Sequence, residues 1–108
     1  MMAPPTELID QVRALAVQAP SRTYFLALRV RLDALRFQIV ACEVWEGDSD
    51  LRWTRRTDLP AASGATRLDL ERVLVTAGYV YPLESSGRPR WRPDSEHGSF
   101  WLDITMPW

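Results

Sequence analysis

Two short windows of the sequence place a tryptophan among arginines. Residues 52–56 read Arg-Trp-Thr-Arg-Arg, and residues 88–92 read Arg-Pro-Arg-Trp-Arg. Guanidinium groups bind carboxylates and phosphates through paired hydrogen bonds, and an exposed indole ring fills a pocket of a partner protein or stacks on a base. Both windows therefore indicate a surface that binds another molecule.

A protein partner is the first interpretation, because tryptophan and arginine are the residues most enriched at the centres of protein interfaces. It predicts a small non-enzymatic interaction domain, such as an inhibitor, an immunity protein, a chaperone-like adaptor or an assembly subunit. The candidate partner-binding residues are Trp53, Arg55, Arg56, Arg90, Trp91, Arg92 and the C-terminal Trp108. The structural alternative is that each indole packs in or beside the core, with arginine stems lying across it.

Nucleic acid is the rival partner, bound by the basic segment 51–92. Its candidate residues are Arg52, Arg55, Arg56, Arg67, Arg72, Arg88 and Arg90. Residues 56–92 fit part of a winged helix-turn-helix pattern, with a short helix at 59–63, a recognition helix at 67–77 and a wing from 79 to 91. Pro60 and Ser63 depart from that pattern. The sequence pI of about 5.8 also lies below the value above ~9 that is usual for such domains.

The net charge of −1 hides an uneven distribution. Residues 1–50 carry five Arg and seven acidic residues, residues 51–92 carry eight Arg and four, and residues 93–108 carry three acidic residues and no Arg. All 13 basic residues are Arg, which a GC-rich genome explains without selection for binding. The grouping of Arg around Trp53 and Trp91 has no such explanation.

Signatures of catalysis are missing from the sequence. It has no glycine-rich phosphate loop, no nucleophile elbow and no paired-cysteine motif. Glu43 and Glu46 point to opposite faces of a strand, and the run Asp94 to His97 reads as a solvated loop rather than a metal site. Cys42 reads as a small buried thiol. We expect no enzyme activity, no cofactor and no metal.

The elements that position these residues follow from hydrophobic periodicity. Helical spacing predicts helices at about 7–18 and 67–77, the second capped by Thr66 and stopped by Gly78. Alternation predicts strands from Thr23, from Phe37, over 51–56, at 79–81, at 90–92 and over 100–106. In the first strand it places Tyr24, Leu26, Leu28, Val30 and Leu32 on one face and Phe25, Ala27, Arg29, Arg31 and Asp33 on the other. The order of helix, three-stranded antiparallel meander, helix and two or three further strands predicts an α+β domain, with the helices packed on one face of the sheet.

One domain spanning 1–108, with residues 1–5 as a flexible arm, is the expected organisation for a chain of 108 residues. Without a visible signal peptide or membrane span, we expect a cytoplasmic protein. A homodimer formed through a strand edge is a further expectation. The element order resembles that of small secretion chaperones and of several immunity and phage-encoded inhibitor proteins, by topology alone.

Overall fold

A five-stranded antiparallel sheet with the order β3-β2-β1-β5-β4 forms the centre of the computed structural model, which describes residues 6–18 and 25–105. Its elements are α1 (Thr6–Gln18), β1 (Phe25–Leu32), β2 (Ile39–Gly47), β3 (Trp53–Asp58), a 3₁₀ turn (Pro60–Ala62), α2 (Arg67–Thr76), β4 (Arg92–Pro93) and β5 (Ser99–Ile104). The predicted α+β class and element order are confirmed. The expected arm at 1–5 and Trp108 lie outside the described residues.

Alternation along β1 divides the sheet into two faces. Leu26, Leu28 and Val30 are buried on one face, where they join the apolar residues of both helices in a single core. Phe25, Ala27, Arg29 and Arg31 lie on the other face, as predicted. No described helix covers this second face, which we call the open face.

Both helices present apolar stripes to the core. Leu8, Val12 and Leu15 are buried from α1, and Leu70, Val73 and Leu74 are buried from α2. The predicted cap of α2 is confirmed: the Thr66 hydroxyl accepts from the Asp69 N–H at 3.2 Å, and the Asp69 carboxylate accepts from the Thr66 N–H at 3.1 Å. The helix stops before Gly78 as predicted: Gly78 has a positive φ of 93°, and the Tyr79 N–H donates to the Leu74 carbonyl at 2.9 Å.

The predicted strand at 51–56 begins two residues too early. The Asp48 carboxylate accepts from the backbone N–H of Asp50 at 2.9 Å and of Arg52 at 3.2 Å, which extends the turn through Arg52. Leu51 has a positive φ of 60° inside this turn, so its backbone is not extended. Pairing with β2 therefore starts at Trp53.

The prediction of a strand at 79–81 is wrong, because only Val80 pairs with another part of the sheet, at Thr105. Its N–H donates to the Thr105 carbonyl at 3.2 Å, and the Thr105 N–H donates back at 2.7 Å. Pro82 has no N–H to continue a ladder. Residues 82–91 leave the sheet as a loop with an isolated bridge between Leu83 and Pro89, and the predicted strand 90–92 is reduced to Arg92–Pro93.

Candidate functional site

Four aromatic rings cluster on the open face. Phe25 of β1, Trp45 of β2, Trp53 of β3 and Trp101 of β5 contact one another, although they come from four strands. Trp53 is central: its ring lies 5.0 Å from that of Phe25, 6.0 Å from that of Trp45 and 5.7 Å from that of Trp101, with which it stacks at 10°. We call these four residues the aromatic cluster.

Small residues beneath the rings make this arrangement possible. Ala27 is paired with Trp45 on one side and with Asp103 on the other, and it is only 1% exposed. Gly47 pairs with both Phe25 and Trp53, and a Cβ built on it would overlap the Phe25 ring. Because Ala27 and Gly47 have little or no side chain, the rings pack close to the backbone of β1 and β2 and contact one another there.

Arg29 borders the aromatic cluster and is held by three carboxylates. Its guanidinium donates to Asp94 at 2.9 Å and to Glu43 at 3.2 Å, and it also pairs with Glu96. It lies 5.9 Å from the centre of the Trp101 ring. Hydrogen bonds to Asp94 above all, then to Glu96 and Glu43, raise the pKa of Arg29. The hydrogen bond from Arg29 in turn lowers the pKa of Asp94. Arg29 and Asp94 are therefore both charged at neutral pH.

Other arginines on the open face are also paired. Arg56 binds Glu43 at 3.3 Å and lies 5.9 Å above the Trp45 ring. Arg92 binds Asp103 at 2.9 Å. The aromatic cluster is therefore bordered by cations that the protein's own carboxylates neutralise.

The two sequence windows do not form one surface. Trp53, Arg56 and Arg92 reach the open face, whereas the register pairs Arg55 with Glu46 on the helix side of β3. Trp91 packs against the core near α2, and the Arg90 guanidinium donates to the Leu83 carbonyl at 3.1 Å. Trp91 therefore packs beside the core, as the structural alternative predicts, whereas Trp53 lies partly exposed on the open face.

Trp45, Trp101, Phe25 and Arg29 belong to the site although they were not among the candidates. The signal was available in the strand alternation, which already placed Phe25 and Arg29 on one face. Trp45 and Trp101 stand singly among apolar and acidic neighbours, so a search for Trp among Arg does not find them.

The nucleic-acid candidates are dispersed. Arg52 binds Asp50 at 3.3 Å and Asp48 at 3.7 Å at the tip of the β2–β3 turn. Arg72 is exposed on α2. Arg67 and Arg88 line a groove beside α2. The helix expected at 59–63 is a single 3₁₀ turn, and the proposed wing pairs only through isolated bridges.

A groove of about 620 Å³ runs between α2 and the loop 82–91. Arg67, Glu71, Arg88, Trp91 and Phe100 line it. The Arg67 guanidinium lies 4.7 Å from the Phe100 ring centre and 5.7 Å from that of Trp91. Burial raises the pKa of Glu71, against the opposing effects of the Trp91 indole, Arg67 and Arg88.

Three ionisable side chains, Glu46, Tyr79 and Cys42, are buried on the helix side of the sheet, away from the open face and from the groove. Glu46 is 2% exposed, and it contributes with burial to raising the pKa of Tyr79 to about 12. Glu43 and Glu46 lie on opposite faces of β2, as predicted. Burial raises the pKa of the Cys42 thiol to about 12. Among the described residues, no group of three His, Cys, Asp or Glu is placed to hold a metal, and Asp94 and Glu96 face Arg29.

The chain matches no family model, no curated protein and no solved structure. Within the part of the chain that the structure describes, neither helix is long and apolar enough to cross a membrane.

Proposed function

We propose that this chain is a small protein-binding domain without catalytic activity, which binds its partner on the open face of the sheet. The observation that carries the proposal is the aromatic cluster, whose central ring, Trp53, remains 45% exposed. Clustered aromatic side chains at the centre of a surface, bordered by polar residues, are typical of protein-binding hot spots.

The charges around the aromatic cluster favour one kind of partner over others. Arg29, Arg56 and Arg92 already have carboxylate partners, so a phosphate or an acidic peptide would have to displace those carboxylates. An apolar patch on a protein surface, surrounded by groups of both signs, complements the face without breaking these pairs. We therefore infer a partner that contributes apolar side chains at the centre and mixed charges at the rim.

Site-specific photo-crosslinking tests this proposal. A benzophenone amino acid replaces Trp53 in one variant and Val75 in the matched control, since Val75 is 59% exposed on α2 away from the aromatic cluster. Each protein is irradiated in cells of its native host, and the crosslinked proteins are identified by mass spectrometry. We expect a protein that is crosslinked from position 53 and not from position 75.

Affinity measurement with that purified protein completes the test. Trp53→Ala should weaken binding about tenfold or more, corresponding to about 1.4 kcal/mol or more, while Val75→Ala leaves it unchanged. Circular dichroism of both variants checks that the fold is intact. Equal crosslinking from both positions, or unchanged affinity of a folded Trp53→Ala protein, would overturn the proposal.

A further inference from the structure

The groove beside α2 has the dimensions of a small-molecule site and lies away from the aromatic cluster. Its volume of about 620 Å³ is within the range of roughly 300–1,000 Å³ that ligand pockets occupy. Residues from α2, from the loop 82–91 and from β5 form its walls. Nothing in the function proposed above uses it.

Arg67 and Arg88 supply the positive charge of this groove. Within residues 6–18 and 25–105, neither guanidinium has a carboxylate within 4 Å, whereas Arg29, Arg52, Arg56 and Arg92 all do. Both lie near enough to Glu71 to lower its pKa. Two guanidinium groups without an ion-pair partner in one concave site favour an anionic ligand.

Glu71 adds an acceptor at the same place. It is only 9% exposed, and the Trp91 indole N–H approaches it closely enough to lower its pKa. The indole nitrogen is buried and still lacks a hydrogen bond of good geometry. The carboxylate therefore retains capacity to accept hydrogen bonds from a ligand that enters the groove.

Apolar rings complete the lining. Trp91 and Phe100 are half-buried, and Arg67 lies over both rings. A flat ligand ring adjoining Trp91 and Phe100 would lie beside two guanidinium groups and one buried carboxylate. Glu84 lines the groove as well, and the two carboxylates oppose a polyanion such as a nucleic-acid backbone.

We propose that this groove binds a small ligand in which an anionic group is joined to a flat ring and to hydrogen-bond donors. Arg67 and Arg88 bind the anion, Glu71 accepts from the donors, and Trp91 and Phe100 contact the ring. A purine mononucleotide and an aromatic amino acid both have this chemistry: phosphate with ring N–H groups in the first, carboxylate with an ammonium group in the second.

Nuclear magnetic resonance titration tests the proposal. The ¹⁵N-labelled chain is titrated separately with guanosine monophosphate, L-tryptophan and inorganic phosphate, each to about 5 mM, which detects dissociation constants up to the millimolar range. We expect the first or the second probe to shift the Trp91 indole N–H signal saturably. The first alone identifies a nucleotide site, and the second alone identifies an amino-acid site.

Variants decide whether the shift reports the groove. Arg67→Ala and Arg88→Ala should each weaken binding about tenfold, because one charge-assisted pair is lost. Arg72→Ala, on the same helix and outside the groove, is the matched control, and Trp53→Ala should leave the titration unchanged. No saturable shift by any probe, a shift by phosphate as large as by the other two, or equal binding by the Arg67 and Arg72 variants would overturn the proposal.

Discussion

At the scale of single residues, Arg29 and Glu71 are both partly buried, but neighbouring charges compensate the burial of the first more fully than that of the second. Arg29 is surrounded by three carboxylates, and its partner Asp94 has a pKa below the ordinary value because the guanidinium stabilises the ionised form. For Glu71 the effect of burial exceeds the effects of its neighbours Trp91, Arg67 and Arg88, so its pKa is raised. Arg29 therefore organises the open face, while Glu71 retains an electrostatic cost within the groove.

Replacement of Glu71 by Gln should stabilise the protein in a pH-dependent way. The carboxyl has a higher pKa folded than unfolded, so the folded state of the natural chain loses stability as the pH rises through that folded-state value. Arg67, Arg88 and the Trp91 indole reduce this effect. Tyr81, just before the loop 82–91, is neutral over this pH range, and burial raises its pKa further. Gln has no charge to bury.

Thermal melts from pH 3 to pH 8 would measure the effect. Below the ordinary glutamate pKa of about 4.3, Glu71→Gln and the natural chain should melt together, and the variant should melt higher as the pH rises. Glu84→Gln, which changes an exposed carboxyl in the same groove, is the control and should follow the natural chain. A Glu71→Gln protein that melts at the same temperature as the natural chain at every pH would show that the carboxylate carries no such cost.

At the scale of elements, the edges of the sheet differ from its centre. β3 is a six-residue edge strand, and it carries Arg55 and Arg56 side by side. An antiparallel copy of β3 centred on this pair would place Arg opposite Arg, and charged residues on edge strands are typical protection against such pairing. The homodimer through a strand edge stays a prediction, and this edge offers it little support.

Gly47 should be required for the aromatic cluster. In Gly47→Ala the new Cβ would overlap the Phe25 ring, so the ring must leave its place against Trp53. We expect a loss of about 1–3 kcal/mol in the free energy of unfolding, typical of overpacking, together with a changed tryptophan fluorescence spectrum. Chemical denaturation followed by fluorescence measures both.

Two further variants show whether the stability lost in Gly47→Ala comes from the clash with Phe25. Gly64→Ala introduces a Cβ with no atom within 4 Å, at a φ of 88°, so it reports the cost of backbone strain alone. The double variant Gly47→Ala/Phe25→Ala lacks the ring that the new Cβ would strike, so the two changes should be less than additive. Strictly additive losses would mean that Gly47 acts without Phe25.

At the scale of the whole molecule, the near-zero net charge is a cancellation that the fold organises in space. The basic segment 51–92 contributes Arg56 and Arg92 to the open face, Arg67 and Arg88 to the groove, and Arg52 to a turn. The acidic segments supply most of their partners, including Asp103 and Glu43. A segment that is basic in sequence therefore does not become one basic surface.

We expect no binding to mixed-sequence DNA or RNA, even at low salt. A phosphate binder gains affinity steeply as salt falls, so a gel-shift series at low ionic strength is the sensitive measurement. The variant Asp94→Asn/Glu96→Gln/Asp103→Asn is the comparison that should bind better than the natural chain. It changes the net charge from −1 to +2, and it weakens the ion pairs of Arg29 and Arg92. A retarded band with the natural chain that disappears as salt rises would favour the nucleic-acid interpretation instead.

Local sequence patterns were sufficient for most of the elements. The Thr66 cap, the stop at Gly78 and the alternation in β1 depend on neighbours within a few residues, and all three are confirmed. The errors arose where the chain pairs over a distance. The strand expected at 79–81 has a suitable composition, but Val80 meets Thr105 at a single position and Pro82 ends the contact.

The sequence by itself determined the α+β class, the common face of Phe25 and Arg29 in their strand, and the presence of tryptophans among arginines. Only the tertiary structure decided which tryptophans meet. Trp45, Trp53 and Trp101 come from three strands whose order in the sheet is not their order in the chain, and they come together over Ala27 and Gly47. Trp91 looks like Trp53 in sequence, yet it packs against the core, because it ends the loop 82–91 beside α2 instead of lying in a strand that faces the open side.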